Sequence, residues 1–416
     1  MAELLHVEAA AERINMAASK GKVWKWMNGV RPDRVTQLLL ARKLGVDPAE
    51  VDRRPWPEWL PAYHGIRTEL SSDHNGVLRA MAEAGDGVDV DRRGFLILTG
   101  AQLVAFAGAD VMADVPMTGE LGPTVDGELL TDIEDGVPRL RRMEAKLGGA
   151  HVQHLVDGEL RTVIGLLRGA RYTTSEGRRL HRTVAELARV AGWAAFDGQR
   201  HAAAQRYWAL GLFSARAAGD RLIAANILKS MSLQCLDFGH TVEALQIAEA
   251  TASGLRSASP RVSTMFTLRR ARALAAQGDR NACVRLIAAT DADTAVSYDG
   301  DPDWIAYFDA AEYCAQVGSC YLELGDAVTA DRWLDDALAA MPATKTRDTI
   351  TYLLRRASVH ALTGDVPAAT AFAQQALPMM GNAPSARNDM RLGELRDLLG
   401  SRGAAGRSAA AQLEPA

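Results

Sequence analysis

Five short turns, spaced almost evenly along the second half of the chain, constrain the fold more than any other feature. Their glycines are 41, 39, 47 and 39 residues apart in turn, and they are Gly198, Gly239, Gly278, Gly325 and Gly364. A small residue stands seven residues before and five residues after each of them. Glycine ends a helix without the penalty that a Cβ brings in the left-handed conformation. The pattern therefore predicts five units, each made of a helix, a tight turn and a second helix, with Gly198 as the weakest copy.

Repeats of this length are typical of a helical solenoid, in which neighbouring units bury each other's apolar faces. The spacing of small residues resembles the tetratricopeptide repeat (TPR), and the fourth unit matches best. There Gly318, Tyr321, Ala330 and Ala337 stand where the TPR pattern has small, aromatic, small and small residues. The resemblance implies an all-α fold with a TPR-like α-solenoid over residues 129–395, and we expect two helices before the repeats to cap its first face.

The TPR resemblance also implies where an effector would bind. In TPR folds the first helix of each unit lines a concave groove, and we take the positions thirteen, ten and six residues before each turn glycine as groove-facing. The polar residues at these positions are Asn226, Lys229, Arg272, Glu312, Ser319, Thr351 and Ser358. Glu323 lies off these positions and is included as a residue at the groove's edge. Such a groove suits an extended peptide; the alternative is that these are ordinary solvent-facing residues of a scaffold.

A short basic segment near the start of the chain is the second informative feature. Between Ser19 and Gly45 there are seven lysines and arginines and one acid, a net charge of +6 in a chain whose net charge is −4. Clustered basic side chains on a short helix are typical of a protein that contacts the phosphate backbone of a nucleic acid. The segment therefore predicts a nucleic-acid-binding module; the alternative is a basic helical bundle that binds no nucleic acid.

Two stretches of this segment resemble the XRE (Cro/repressor-type) helix-turn-helix family. Lys22–Pro32 resembles the recognition helix and its exit turn, and Leu38–Val46 resembles the helix that follows. Lysine can read guanine and asparagine can read adenine in the major groove. The resemblance implies DNA contacts from Lys20, Lys22, Trp24, Lys25, Asn28, Arg31 and Arg34. The family has a further helix before this pair, so either the natural start lies upstream or the module is a reduced one.

The chain divides into four parts. Residues 1–52 form the helix-turn-helix module, with expected helices over 34–44 and from Asp47 onward. Residues 53–128 form a linker with helical segments, residues 129–395 the repeat domain, and residues 396–416, which are small and polar, a disordered tail. No secretory signal opens the chain, which predicts a cytoplasmic protein. Arg92-Arg93 and the apolar run after it resemble an export motif, but the run is short of the ~20 apolar residues of a bilayer span, which favours a buried or docking helix.

Signatures of catalysis and of metal binding are missing from the sequence. It contains no phosphate loop of the Gly-Lys-Ser/Thr type and no glycine-rich dinucleotide fingerprint. His151 and His154 share a helical face, but no third ligand accompanies them, and zinc needs three or four. The four cysteines form no CxxC pair, which favours reduced, buried residues. We therefore expect no enzyme activity, no cofactor and no metal.

Together the two resemblances imply a bacterial XRE-type transcriptional regulator of the actinobacterial kind, with C-terminal TPR-like repeats. Its expected partners are double-stranded DNA, a peptide or protein effector and a second copy of itself, with no membrane. The alternative is a TPR adaptor that binds proteins and not DNA, which the shortened first module and the acidic net charge favour.

Overall fold

The computed structural model of the 416-residue chain describes residues 31–43, 49–53, 118–120, 122–252, 258–290 and 298–414. These residues form sixteen α-helices, one 3₁₀ turn and one pair of two-residue strands. The fold is all-α, as predicted. The strand pair, β1 (Gly119–Glu120) and β2 (Arg171–Tyr172), is antiparallel and has no counterpart in the sequence pattern.

The helices from residue 127 onward pack mostly on their neighbours in the chain. In chain order they are α1 (Arg34–Lys43), α2 (Ala49–Arg53), α3 (Gly127–Leu147), α4 (Gly149–Gly169), α5 (Thr174–Asp197), α6 (His201–Ala218), α7 (Arg221–Asp237), α8 (Thr241–Ala252), α9 (Pro260–Ala276), α10 (Arg280–Ala288), α11 (Ala310–Glu323), α12 (Ala327–Ala339), α13 (Thr346–Thr363), α14 (Val366–Met380), α15 (Ala386–Gly400) and α16 (Gly403–Gln412). The 3₁₀ turn, Asp303–Ile305, precedes α11.

The five predicted helix–turn–helix units are confirmed. They are the pairs α5–α6, α7–α8, α9–α10, α11–α12 and α13–α14. In the last four units the turn glycine is left-handed, with φ between 72° and 87°. In the first unit Gly198 has φ of −80° and Gln199 takes the left-handed conformation instead, at φ 57°. The weakest copy in the sequence is therefore also the one with a different turn.

The small residues on both sides of each turn bring the two helices of a unit close together. A Cβ added to Gly318 would lie 3.1 Å from Leu334 Cγ and 3.3 Å from the carbonyl oxygen of Ala330. In the second unit the Ser232 hydroxyl donates a hydrogen bond to the carbonyl of Ala244 across the same crossing, at 2.8 Å. Larger residues at these positions would separate the helices.

Additional helices cover both ends of the repeats. As predicted, α3 and α4 precede the first unit, and their apolar residues join its core. The predicted disordered tail over 396–416 is wrong for the residues that the structure describes there. Leu399 and Leu413 are fully buried in the core of the last unit, and an added Cβ on Gly406 would lie 2.0 Å from the Leu399 carbonyl oxygen. The small residues that suggested disorder instead allow α16 to pack closely.

The two ends of the solenoid, including the helices that cover them, meet through polar contacts that we call the clasp, formed by Arg347, Glu144, Asp197 and Ser385. Arg347 forms ion pairs with Glu144 of α3 at 2.9 Å and with Asp197 of α5 at 3.4 Å. The Ser385 hydroxyl donates to Asp197 at 3.0 Å. The apolar cores of the first and last units are separate clusters. The superhelix thus closes on itself through charged and polar groups.

Within the first module the two helices predicted at 34–44 and from Asp47 are confirmed as α1 and α2. Asp33 caps α1 by accepting a hydrogen bond from the Thr36 backbone at 2.9 Å. The rest of this module, including the candidate recognition helix, lies outside the described residues.

Candidate functional site

A cavity of about 720 Å³ lies on the inner side of the solenoid. Its wall is formed by the first helix of every unit, namely α5, α7, α9, α11 and α13. Residues of α3, α15 and the segment around the 3₁₀ turn complete it, and the second helices of the units contribute nothing among the described residues. The expected position of a groove, along the first helices, is therefore the position of the cavity.

Five of the eight groove candidates lie on the cavity wall, and three do not. Asn226, Lys229, Arg272 and Glu312 line it, together with Thr351. The placement of Ser319 in the groove is wrong: its side chain is buried in the helix packing and donates to the Ala315 carbonyl at 2.6 Å. Glu323 is not part of the wall either, but its carboxylate forms an ion pair with Arg272 at 3.0 Å. Ser358 also lies off the wall, and donates to the Leu354 carbonyl.

A repeated polar position was missed by the sequence reasoning. The residues nine before each turn glycine all line the cavity, and all are polar: Arg189, Ser230, Arg269, Gln316 and Arg355. The position one residue earlier, chosen from the TPR resemblance, is apolar in four units and buried, as with Leu268 and Leu354. One residue corresponds to about 100° of rotation on a helix. A search for the inner position that is polar in every unit would have found it.

The cavity wall is strongly cationic although the chain as a whole is acidic. Eleven arginines and lysines line it against five carboxylates, whereas the chain's net charge is −4. The cations are Arg141, Arg142, Arg189, Lys229, Arg269, Arg272, Lys345, Arg347, Arg355, Arg387 and Arg391, and the acids are Glu144, Asp197, Asp303, Glu312 and Asp348. Positive charge is thus concentrated on the inner surface of the solenoid.

Six of these cations have carboxylate partners. The pairs are Arg141 with Glu186 (3.7 Å), Arg189 with Glu186 (3.4 Å), Arg272 with Glu323 (3.0 Å), Lys345 with Asp309 (2.6 Å), Arg347 with Glu144 (2.9 Å) and Arg387 with Asp237 (3.1 Å). Several of the acids in these pairs lie behind the wall and not on it. The paired cations are therefore held in place by the protein itself.

The other five wall cations have no carboxylate partner in the described part of the chain. Arg142 is exposed, whereas Lys229, Arg269, Arg355 and Arg391 are buried or half-buried. Arg269 is only 4% exposed, and its Nε and Nη1 atoms have no hydrogen-bond partner. Arg355 faces the ring of Tyr352, with its guanidinium carbon 5.9 Å from the ring centroid. Buried charges without partners are costly. Among the described residues, no carboxylate compensates the charge of Arg269.

The surroundings of these cations disfavour their charged forms. Burial, with Arg269 nearby, lowers the pKa of Lys229 to about 7. Burial, with Arg272 nearby, lowers the pKa of both Arg269 and Arg355 to about 10. On the acidic side, burial and the neighbouring Glu312 raise the pKa of Asp348 to about 6. The shifts of the three cations thus follow mainly from burial, and neighbouring positive charge adds to them.

Aromatic side chains and hydrogen-bonding groups occupy the remaining wall. Trp193, Trp304, Tyr307 and Tyr352 line the cavity. The Tyr352 hydroxyl donates to Glu312, and the Tyr307 hydroxyl contacts the Lys229 ammonium. Flat rings beside cationic and carboxylate groups can bind a ligand that has both a planar apolar part and a charged part.

The candidate DNA contacts are only partly within the described residues. Arg31 is exposed. Arg34 is also exposed and forms a bidentate pair with Asp52, at 2.7 Å and 3.0 Å. The other candidates, Lys20, Lys22, Trp24, Lys25 and Asn28, lie outside the described residues, as do Arg92 and Arg93.

No three His, Cys, Asp or Glu side chains of the described ranges converge on a point that could hold a metal ion, and His151 and His154 are exposed. All four cysteines are free and buried, as predicted. None of the helices described has the length and apolarity to cross a bilayer.

Comparison with known proteins adds no family. No protein-family model matches the chain, and no curated protein is significantly similar to it.

Proposed function

We propose that the protein is a DNA-binding transcriptional regulator whose solenoid binds an effector in the central cavity. The observation that carries the proposal is a cavity of about 720 Å³ lined by four buried or half-buried cations that lack a carboxylate partner among the described residues. Its volume is in the range of ligand sites, roughly 300–1,000 Å³. The net charge of +6 between Ser19 and Gly45 supports DNA binding by the N-terminal module.

The clasp suggests how an effector could change the solenoid. A ligand shifts a conformational equilibrium only when it has different affinities for the two states. The clasp joins the first and last units by polar contacts, while their apolar cores are separate. A ligand that bridges cavity residues of α7, α9 and α13 would favour the closed superhelix. In a cytoplasmic homodimer this change would alter the spacing of two DNA-binding modules, which must match two half-sites.

The test is genome-wide DNA occupancy of the intact protein and a Lys20→Ala/Lys22→Ala/Lys25→Ala variant. We expect discrete peaks that vanish in the variant, because the three lysines are candidate contacts to bases and phosphates. A matched control removes three exposed cations from the cap and first unit, as Arg161→Ala/Arg168→Ala/Arg178→Ala. The control should keep the peaks.

One observation favours the second candidate, a TPR-like adaptor that binds proteins and not DNA. Arg34, a candidate phosphate contact, is neutralised by a bidentate pair with Asp52. If the well-expressed intact protein gives no peaks above an untagged control, the adaptor is the better description. The next step would then be to identify the proteins that bind the solenoid.

A further inference from the structure

The inner position nine residues before each turn glycine carries an arginine in three units, and two of these, Arg269 and Arg355, lack a carboxylate partner in the described chain. We propose that the cavity binds a small phosphorylated molecule, with its phosphate groups held by Lys229, Arg269, Arg355 and Arg391. This inference rests on the proposed function, since it names the chemistry of the effector.

The number and kind of cations without a carboxylate partner favour phosphate over a single carboxylate. Four cations from α7, α9, α13 and α15 line one cavity, and none of them has a carboxylate partner within the described ranges. A guanidinium group presents N–H donors in a fork that matches phosphate oxygens, and phosphate groups provide several negative charges and acceptors in a small volume. Two guanidinium nitrogens of Arg269, Nε and Nη1, are buried without a hydrogen-bond partner among the described residues, so the protein leaves this charge uncompensated. A ligand with two or more phosphate charges would compensate several of these cations together.

The closure of the superhelix favours a small ligand over an extended chain. Arg347 and Ser385 join the last unit to Glu144 and Asp197 at the edge of the same cavity. A polymer that ran along the groove would have to displace these contacts. A cavity of about 720 Å³ matches the size of sites that bury a drug-sized molecule.

The remaining wall residues guide the choice of probe. Trp193 and Tyr307 provide flat apolar surfaces, and rings of this kind stack well on a planar base. Glu312 and Asp348 provide carboxylate oxygens, which accept hydrogen bonds from ring N–H groups. A purine nucleoside diphosphate is therefore the first probe, and inorganic pyrophosphate tests the phosphate part alone.

The experiment is isothermal titration of the full-length protein with GDP, ADP and inorganic pyrophosphate, at constant ionic strength. We expect saturable binding of at least one probe. Arg269→Met should weaken it by about thirtyfold or more, because it removes one partner of a buried charge contact. Arg270→Met is the matched control: Arg270 is the next residue of α9, lies off the cavity wall and pairs with Glu249 at 3.2 Å. Its binding should change by less than about twofold.

Comparison of the probes identifies the source of the phosphate. Tighter binding of a nucleotide than of pyrophosphate assigns the aromatic wall to a base, and equal affinity assigns the site to the phosphates alone; both support the proposal. A penta-aspartate peptide tests the acidic-peptide alternative, and the proposal is overturned if that peptide binds while the three phosphate probes do not.

Two further outcomes overturn the proposal: no saturable binding of any phosphate probe, or equal weakening by Arg269→Met and Arg270→Met. If Arg269→Met fails to fold, Arg355→Met replaces it as the variant. The titration of the wild-type protein tests phosphate binding without any variant. Intact DNA occupancy without phosphate binding would reject only this inference, whereas phosphate binding without DNA occupancy would reject only the regulator.

Discussion

Two arginines on the same cavity wall differ in how the protein treats their charge. Arg347 is 16% exposed at its side chain and contacts two carboxylates, Glu144 and Asp197. Arg269 is 4% exposed, and two of its three guanidinium nitrogens have no hydrogen-bond partner. Both are cations of inner helices, but within the described residues only Arg347 is compensated by carboxylates. The charge of Arg347 holds the two ends of the solenoid together, whereas the charge of Arg269 is available for neutralisation by a ligand.

The two arginines should therefore affect stability in opposite directions. A buried ion pair contributes little net free energy, yet removal of one partner leaves an uncompensated charge and is strongly destabilising. Removal of an arginine without a partner leaves no uncompensated carboxylate behind. The desolvation of such an arginine lowers the free energy of unfolding, and this cost disappears with the side chain. Functional sites commonly lower the stability of a protein in this way. Stability measurements can therefore distinguish the clasp from the ligand site without knowledge of the ligand.

The largest effect is expected for Arg347→Met. Glu144 is 8% exposed and Asp197 is 7% exposed, so the substitution leaves two buried carboxylates without their cation. The free energy of unfolding should fall by about 3–5 kcal/mol, measured by urea denaturation. Arg356→Met is the control, since Arg356 is 15% exposed and pairs with Asp331 and Asp335 of the adjacent helix.

Those partners are more exposed than the partners of Arg347, at 26% and 62%, so Arg356→Met should lower the free energy of unfolding by about 1 kcal/mol or less. Equal losses in the two variants would contradict the special role given to the clasp. They would mean that any partly buried arginine of α13 contributes equally, wherever its partners lie in the chain.

Arg269→Met is expected to act in the opposite direction. The substitution removes a buried charge whose pKa is lowered to about 10 by burial and by Arg272, and it keeps most of the apolar volume. The free energy of unfolding of the unligated protein should rise by about 1–3 kcal/mol. A loss of stability of similar size would show that the guanidinium is structural, and the comparison with Arg347 would fail.

The sequence predicts the units of this fold better than it predicts how they close. The turn glycines and small residues specify each helix pair locally, so the pairs could be found from spacing alone. The contact of Arg347 with Glu144 joins residues 203 positions apart, and no local pattern records such a pair. The prediction of a disordered tail was wrong for a similar reason. Leu399 and Leu413 are buried by tertiary packing, which the small, polar composition of this segment does not reveal.

The candidate site was predicted to the correct helices but with a rotational error. Asn226 and Lys229 were placed on the wall correctly, whereas Arg269 was missed because the neighbouring position, Leu268, was chosen. Adjacent residues of a helix point in directions about 100° apart. Leu268 is therefore fully buried in the core, although Arg269 faces the cavity. The resemblance to TPR repeats therefore identified the inner helices, and only the structure distinguished their cavity-facing residues.

The third prediction concerns pH, and it extends the comparison to Lys229. Its pKa is lowered from 10.5 to about 7 in the folded state by burial, Arg269 and Arg189, with Glu312 acting in the opposite direction. Between pH 7 and 9 the unfolded state therefore binds more protons at this site, so Lys229 makes stability rise with pH. The penalty of the buried charge is present below pH 7 and is relieved above it.

The measurement is the free energy of unfolding of wild type and Lys229→Met at pH 7, 8 and 9. The free energy of unfolding of the wild type, relative to that of Lys229→Met, should increase by on the order of 1 kcal/mol for each pH unit. Parallel profiles would show that Lys229 keeps an ordinary pKa in the folded protein. In that case it would not belong with Arg269 among the uncompensated cations.

The smallest effect is expected for Arg189→Met, at the same repeat position as Arg269. Arg189 pairs with Glu186 on its own helix at 3.4 Å, and Glu186 also has Arg141 at 3.7 Å. Removal of Arg189 therefore leaves the carboxylate with a second cation, and the free energy of unfolding should change by less than about 1 kcal/mol. If Arg189→Met instead stabilised the protein as much as Arg269→Met, burial alone would explain both effects. A small change beside a large gain would assign the difference to the missing carboxylate, which is the feature that an anionic ligand would replace.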